Sequence, residues 1–221
     1  MTPSLTQALG LFFQAHPWHG VTPGEQAPAI VTCYIEMVPT DAMKYEVDKA
    51  TGILKLDRPQ RYSSRVPSLY GFIPRTLCDK NVGERCSQRL NRPGIIGDGD
   101  PIDVCVLTER PIQHGAVLVE ATPIGGLRMI DGNQADDKII AVLKGDSVYG
   151  SWSDLKEMPT GMVDRLKHYF LTYKAMPDTP TPPVEIAEVY DAAEARVTIT
   201  KSLEDYRAKY GQLTDLFAPN R

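Results

Sequence analysis

The run Asp98-Gly-Asp100-Pro-Ile-Asp103 places three carboxylates within six positions, at the entrance to the apolar stretch Ile102–Thr108. A chain can carry so much like charge beside a core strand only if the segment stays in solvent or a cation gathers it. Oxygen donors of this kind suit Mg²⁺ or Mn²⁺, and the glycines and proline let the chain bend so that the carboxylates converge. Alone, a solvated acidic turn is the competing reading. A calcium loop of the EF-hand type fails, because Ile102 and Asp103 stand where that loop needs a ligand and a turn glycine.

A second acidic group, Asp131-Gly-Asn-Gln-Ala-Asp136-Asp137-Lys138, also lies between apolar runs. Both groups can therefore sit at one end of a sheet. Two carboxylate clusters imply several metal ions, which together serve phosphoryl chemistry by steadying attacking and leaving oxygens. Lys44, Arg58, Tyr70, Lys138, Tyr173 and Lys174 recur near these positions and supply what an oligophosphate needs: forked, point-charge and neutral donors.

The remaining pattern is mostly β. Ala29–Met37 is rich in β-branched and aromatic residues, and Lys44–Asp48 and Ile53–Leu56 flank a turn, which predicts a hairpin with Lys44, Glu46 and Asp48 on one face. Strands follow at Ile102–Thr108, Val117–Ile124, Gly126–Ile130 and Lys138–Leu143, with Val184–Tyr190 later; such short, regularly bounded strands suggest a barrel. Asp57 to Gly99 reads as a long loop. Met162, Val163, Leu166, Tyr169, Phe170 and Tyr173 share one helical face, and a last helix is expected from about Ala192 to Tyr210. Pro177 to Pro183 is irregular. At the N-terminus Leu5, Ala8, Leu9, Phe12 and Phe13 predict an amphipathic helix rather than a signal peptide.

The chain has 221 residues and a formal net charge of -4, which suits one domain and disfavours general nucleic-acid binding. No stretch is long and apolar enough for a membrane span, so a cytoplasmic protein with neither membrane nor nucleic-acid partner is expected. Cys33 and Cys105 fall inside strand-like runs and read as core, whereas Cys78 and Cys86 flank a polar loop and could approach each other or a metal. His16, His19, His114 and His168 read as structural.

In its residues this sequence resembles the family I soluble inorganic pyrophosphatases. The most specific motif is Asp98-Gly-Asp-Pro-Ile-Asp-Val104, joined in order by Tyr34-Ile-Glu36, Lys44-Tyr-Glu46-Val-Asp-Lys, Asp57-Arg58, Tyr70-Gly71-Phe-Ile-Pro, Asp131, Asp136, Lys138 and His168-Tyr-Phe-Leu-Thr-Tyr173-Lys174. The resemblance implies Mg²⁺-dependent hydrolysis of pyrophosphate to two orthophosphates by direct attack of a metal-bound hydroxide, with several ions per subunit and Mn²⁺ as a substitute. It implies that Asp98, Asp103 and Asp136 bind activating metals and that Asp131 and Glu46 join for metals arriving with substrate. Glu36 supports the site and Asp100 is the general base. Tyr70 and Lys138 are catalytic, and with Lys44, Arg58, Tyr173 and Lys174 they grip the phosphates.

The fold so implied is mainly β or α+β, a five-stranded OB-like closed β-barrel with flanking α-helices. Residues 1–221 would form a single pyrophosphatase domain, with 1–20 as a helical extension and about 79–96 as an inserted loop carrying Lys80, Arg85, Arg89 and Arg92. Val66 stands where many members have tyrosine. A homo-oligomer follows, a hexamer before a dimer. The alternatives are a metal-dependent hydrolase of another small phosphoanhydride and a non-catalytic OB-type binding module, which Mg²⁺-supported pyrophosphate hydrolysis separates from the main reading.

Overall fold

A computed structural model describes residues 13–174 and 184–215. In chain order they form β1 (Val31–Met37), β2 (Met43–Val47), β3 (Leu54–Pro59), β4 (Leu69–Phe72), α1 (Lys80–Leu90), β5 (Ile96–Gly97), β6 (Asp103–Leu107), β7 (Val117–Asp131), β8 (Gln134–Ala135), β9 (Lys138–Leu143), α2 (Thr160–Thr172), β10 (Val184–Asp191) and α3 (Ala192–Asp215). A short 3₁₀ turn at Leu155–Glu157 precedes α2.

Eight strands share one sheet, α+β in class, with helices against it. β1 pairs with β4 on one side and β7 on the other, and the pairings β1–β4, β4–β6, β6–β9, β9–β7 and β7–β1 return to their starting strand. The β6–β9 pair is parallel. After their first residues, Asp103 and Lys138, its strands are apolar because both faces are covered. Val104, Val106, Ile139 and Ala141 enter one core with Val31, Cys33 and Ile35. Cys105, Leu107, Ile140 and Val142 point the other way, beneath Leu166, Tyr169 and Phe170 of α2. Period-two alternation thus serves two cores at once.

β7 was expected as two strands split near Gly125. It is one strand, and the irregularity at Pro123–Gly125 is absorbed as a register shift against β9. β2 and β3 form the expected hairpin. Asp48, however, does not share a site-lining face with Lys44 and Glu46: its carboxylate accepts from Ala50 N, Thr51 N and Thr51 Oγ1 at 3.2, 2.9 and 2.8 Å and closes the turn.

The stretch Asp57 to Gly99, expected as loop, holds the end of β3, all of β4 and β5 and, within the 79–96 insertion, α1. Val82 and Cys86 are its buried stripe, and Asn91 ends it in the left-handed conformation. The free N–H groups at its start are met from α3: the Asp205 carboxylate accepts from Asp79 N, Asn81 N and Val82 N at 3.1, 2.9 and 3.1 Å. A carboxylate at a helix N-terminus satisfies unpaired donors and the positive end of the helix dipole together. Gly97 then passes so close to Cys78 that a Cβ would lie 2.2 Å from its carbonyl oxygen. The chain from there enters the acidic run at a fixed place.

All four cysteines are free and buried, so Cys78 and Cys86 form no disulfide with each other. The expected N-terminal helix lies mostly outside the described residues; the described part, 13–20, is bend and turn. The Pro177–Pro183 stretch, expected to be irregular, also lies outside them.

Candidate active site

One cleft opens where β2, β4, β6 and the β7–β9 connection meet. It is lined by Glu36, Lys44, Glu46, Arg58, Tyr70, Asp98, Asp100, Asp103, Asp131, Asp136, Lys138, Tyr173 and Lys174, so every site residue singled out from the sequence reaches the same cavity. Its volume, about 320 Å³, is at the small end of ligand clefts, ~300–1,000 Å³, and suits a compact anion better than a nucleotide.

The topology explains the convergence. Asp103 opens β6 and Lys138 opens β9, and the two are register partners in the parallel pair. Tyr70 of β4 pairs next door with Cys105 of β6, and its hydroxyl donates to Asp103 Oδ2 at 2.6 Å. Gly71 lets β4 approach β1 closely: a Cβ there would lie 1.9 Å from the Tyr34 carbonyl oxygen. Lys44 and Arg58 face each other across the β2–β3 hairpin.

Charges alternate around the wall. The Lys138 ammonium bridges Asp103 and Asp136. Lys44 contacts Glu46 and, at 3.1 Å, Asp57. Lys174 meets Asp131 at 2.7 Å, and Lys49 meets Asp100. Glu36 is buried and accepts from Val47 N at 2.6 Å, which ties β1 to the end of β2.

Burial sets the electrostatics. It pushes the Asp98 carboxyl up to about 7, with the charge of Asp136 adding to the effect. Glu36 is pushed up to about 8 by burial, and by the charges of Asp103 and Glu46. Asp136 is raised by burial against the pull of Lys138. Burial works to lower Lys138, but Asp103 and Asp136 outweigh it and hold the ammonium charged. Tyr70 is raised by burial and by Asp103, so it is a neutral donor.

Among the described residues no three Asp, Glu, His or Cys side chains converge as a ready ion cage. The arrangement nevertheless fits hard cations. The donors are all carboxylate oxygens, burial disfavours the charged forms of Asp98 and Asp136, and ammonium groups stand between carboxylates as cationic placeholders.

Six lining residues were not singled out as site residues from the sequence: Val47, Phe72 and Pro101, which lie within or beside predicted segments, and Trp18, Lys49 and Gln134. Lys49 stands in the Lys44–Lys49 run, one place past the alternating strand, so the period-two pattern gave it no weight. Trp18 arrives from a remote segment that carries no local signal.

A cleft of this kind, with oxygen donors for divalent ions and basic and phenolic donors for phosphate, defines a metal-dependent phosphoryl hydrolase. The family model described as "Inorganic pyrophosphatase" matches residues 33–207. An inorganic pyrophosphatase of Chlamydia trachomatis is 48% identical over 196 residues, covering 87% of this chain and 94% of that protein. A soluble inorganic pyrophosphatase of Oryza sativa is 38% identical over 194 residues, covering 88% and 80%. The crystal structure of the Thermus thermophilus inorganic pyrophosphatase superposes with a TM-score of 0.73 at 29% identity, over 88% of this chain and 99% of that one. The chain belongs to the inorganic pyrophosphatase family, and that membership implies a divalent metal cofactor.

Proposed function

We propose that this chain hydrolyses pyrophosphate to two orthophosphates with Mg²⁺, or Mn²⁺ in its place. The observation that carries the reading is the single small cleft in which Asp98, Asp100, Asp103, Asp131 and Asp136 face Lys44, Arg58, Tyr70, Lys138, Tyr173 and Lys174. Asp98, Asp103 and Asp136 hold the activating ions, while Asp131 and Glu46 hold ions that enter with substrate. When bound, such ions offset phosphoryl charge and make water easier to deprotonate.

Within that frame the side chains divide the work. Asp100 accepts the proton of the attacking water, whose oxygen bonds to one phosphorus as the bridging P–O bond breaks and its electron pair leaves with the second phosphate. Lys44, Arg58, Tyr173 and Lys174 orient the two phosphates. Tyr70 and Lys138 donate toward the developing charge from fixed positions, which requires little reorganisation during reaction. Glu36 holds the β2 end through Val47.

The circuit of five strand pairings supports reading the sheet core as a closed five-stranded OB-like barrel, and residues 1–221 as a single pyrophosphatase domain. A cytoplasmic homo-oligomer, a hexamer before a dimer, is part of the same proposal. Sedimentation of the purified chain tests the assembly.

Phosphate release from pyrophosphate is the test of function. Release with Mg²⁺, abolished by EDTA and by Asp103→Ala in a folded variant, is the expected result. No release from folded, Mg²⁺-supplied protein sinks the proposal.

A further inference from the structure

The segment His16-Pro-Trp-His19-Gly20 packs against the residues that carry the acidic run and adds no carboxylate to it. Its Trp18 is buried, and it walls the cleft beside Lys49, Asp100 and Phe72. The indole N–H donates to the Thr76 carbonyl at 2.7 Å, and the Trp18 carbonyl accepts from Arg75 N at 2.9 Å. Thr76 is itself fully buried, and its hydroxyl accepts from Ile102 N at 3.0 Å while donating to the Ile73 carbonyl at 2.5 Å.

Those contacts fall on the short bed that carries the acidic run. Ile73 N donates to the Ile102 carbonyl at 3.1 Å, Cys78 N to the Asp100 carbonyl at 2.7 Å, and Gly99 N to the Cys78 carbonyl at 2.9 Å. The carboxylates of Asp98, Asp100 and Asp103 thus hang from a backbone ladder whose middle residue is gripped by Trp18.

The other end of the strap is anchored too. The His19 ring stacks on Trp18 with centroids 4.5 Å apart and meets Tyr210 of α3 edge-on at 5.0 Å. His19 Nδ1 lies 2.8 Å from the Tyr206 hydroxyl. His16 Nε2 lies 3.2 Å from the Lys49 carbonyl oxygen, holding the turn whose lysine meets Asp100.

The geometry points to Trp18 and Thr76 as positioning residues of the hydrolytic site: through the Trp18–Thr76–Ile102 chain of hydrogen bonds the strap fixes the acidic run in its metal-binding shape. The inference rests on the pyrophosphatase reading for its activity arm, but not for its metal arm. Groups that orient ligand-bearing segments typically change metal affinity or activity by about 10–100-fold when removed.

The experiment compares wild type with Trp18→Phe, Thr76→Val and Thr76→Ser, with Met158→Ala as a buried truncation that does not line the cleft. Three quantities are read: Mn²⁺ affinity by calorimetry, kcat and KM for pyrophosphate with Mg²⁺, and the urea midpoint. Trp18→Phe keeps an aromatic ring and loses the donor, and Thr76→Val keeps the shape and loses the hydroxyl. Both should weaken Mn²⁺ binding and lower kcat by roughly tenfold, with KM within about twofold of wild type. Thr76→Ser should restore both quantities, and Met158→Ala should lower the midpoint without touching Mn²⁺ affinity.

Mn²⁺ affinity unchanged in Trp18→Phe and Thr76→Val overturns the proposal. So does a Thr76→Ser variant as impaired as Thr76→Val, or an equal loss in Met158→Ala. If wild type releases no phosphate, the pyrophosphatase reading falls and the Mn²⁺ titration alone decides the positioning role. If Thr76→Val does not fold, Trp18→Phe decides it.

Discussion

Asp103 and Lys138 are register partners across the parallel β6–β9 pair, and the Lys138 ammonium joins the Asp103 carboxylate to that of Asp136. The lysine is buried, so the three charges share a region where an unpaired ion is costly.

Replacing Lys138 by Met should therefore destabilise the metal-free protein by up to about 3–5 kcal/mol, because two half-buried carboxylates lose their buried counter-ion. Added Mg²⁺ should recover more stability in this variant than in wild type, since the ions no longer compete with the ammonium. Urea unfolding with and without Mg²⁺ measures both effects; equal Mg²⁺ stabilisation in the two proteins would contradict the competition.

Arg128, inside β7, lies fully buried. Its guanidinium reaches Asp137 at 3.4 Å, Glu188 at 2.6 Å and Glu194 at 2.7 Å, while its plane lies over the Tyr190 ring. Arg128→Met should cost about 3–5 kcal/mol in urea unfolding at neutral pH, as three acidic groups lose their shared cation. A cost below 1 kcal/mol would show that Arg85 and Arg89, which already contact Glu194 and Glu188, take its place.

Gly71→Ala tests the close approach of β4 to β1. With a Cβ at 1.9 Å from the Tyr34 carbonyl oxygen, backbone must move. The expected loss is at least about 1–3 kcal/mol, the usual range for overpacking, together with a raised KM because Tyr70 moves with its neighbour. Wild-type stability and KM would contradict the register.

His19 gives a pH signature. Burial, with the charges of His16 and Arg75, lowers its pKa from 6.5 to about 4. The unfolded chain then binds more protons at this site than the folded one between those values. Stability from His19 is complete above pH 6.5 and is lost as pH falls toward 4. Urea midpoints of wild type and His19→Gln, taken from pH 7.5 to 4, should show wild type losing stability relative to the variant as pH falls; parallel curves would refute the shift. Asp98 and Glu36, whose pKa values are raised, contribute the opposite slope to both proteins and cancel in the comparison.

What could be read in the sequence was whatever local spacing encodes. Asp98, Asp100 and Asp103 are neighbours in the chain, and Lys44 with Glu46 obeys the strand period, so their meeting in one cleft follows from short-range geometry. α2 announced itself through Leu166, Tyr169, Phe170 and Tyr173. α1 was missed because its stripe is thin: Val82, Cys86 and Leu90 recur every four residues, but Asn81, Gly83 and Ser87 dilute the helical signal. The roles of Trp18 and Asp205 depend on segments far apart in sequence, and no periodicity carries that information. β7 was divided at Pro123–Gly126 because local propensity argues for a break, whereas pairing with β1, β9 and β10 on its flanks overrides it.

β7 also orders events at the ribosome. β1 emerges early in synthesis, yet one of its two neighbours is Val117–Ala121, and β9, which completes the circuit, ends at Leu143. A nascent chain shorter than that exposes strand edges it cannot yet pair, and such long-range pairing is slow to form. The acidic run is consequently translated well before Asp136 and Lys138 exist to meet it, so a stalled or truncated chain would present its carboxylates without either partner.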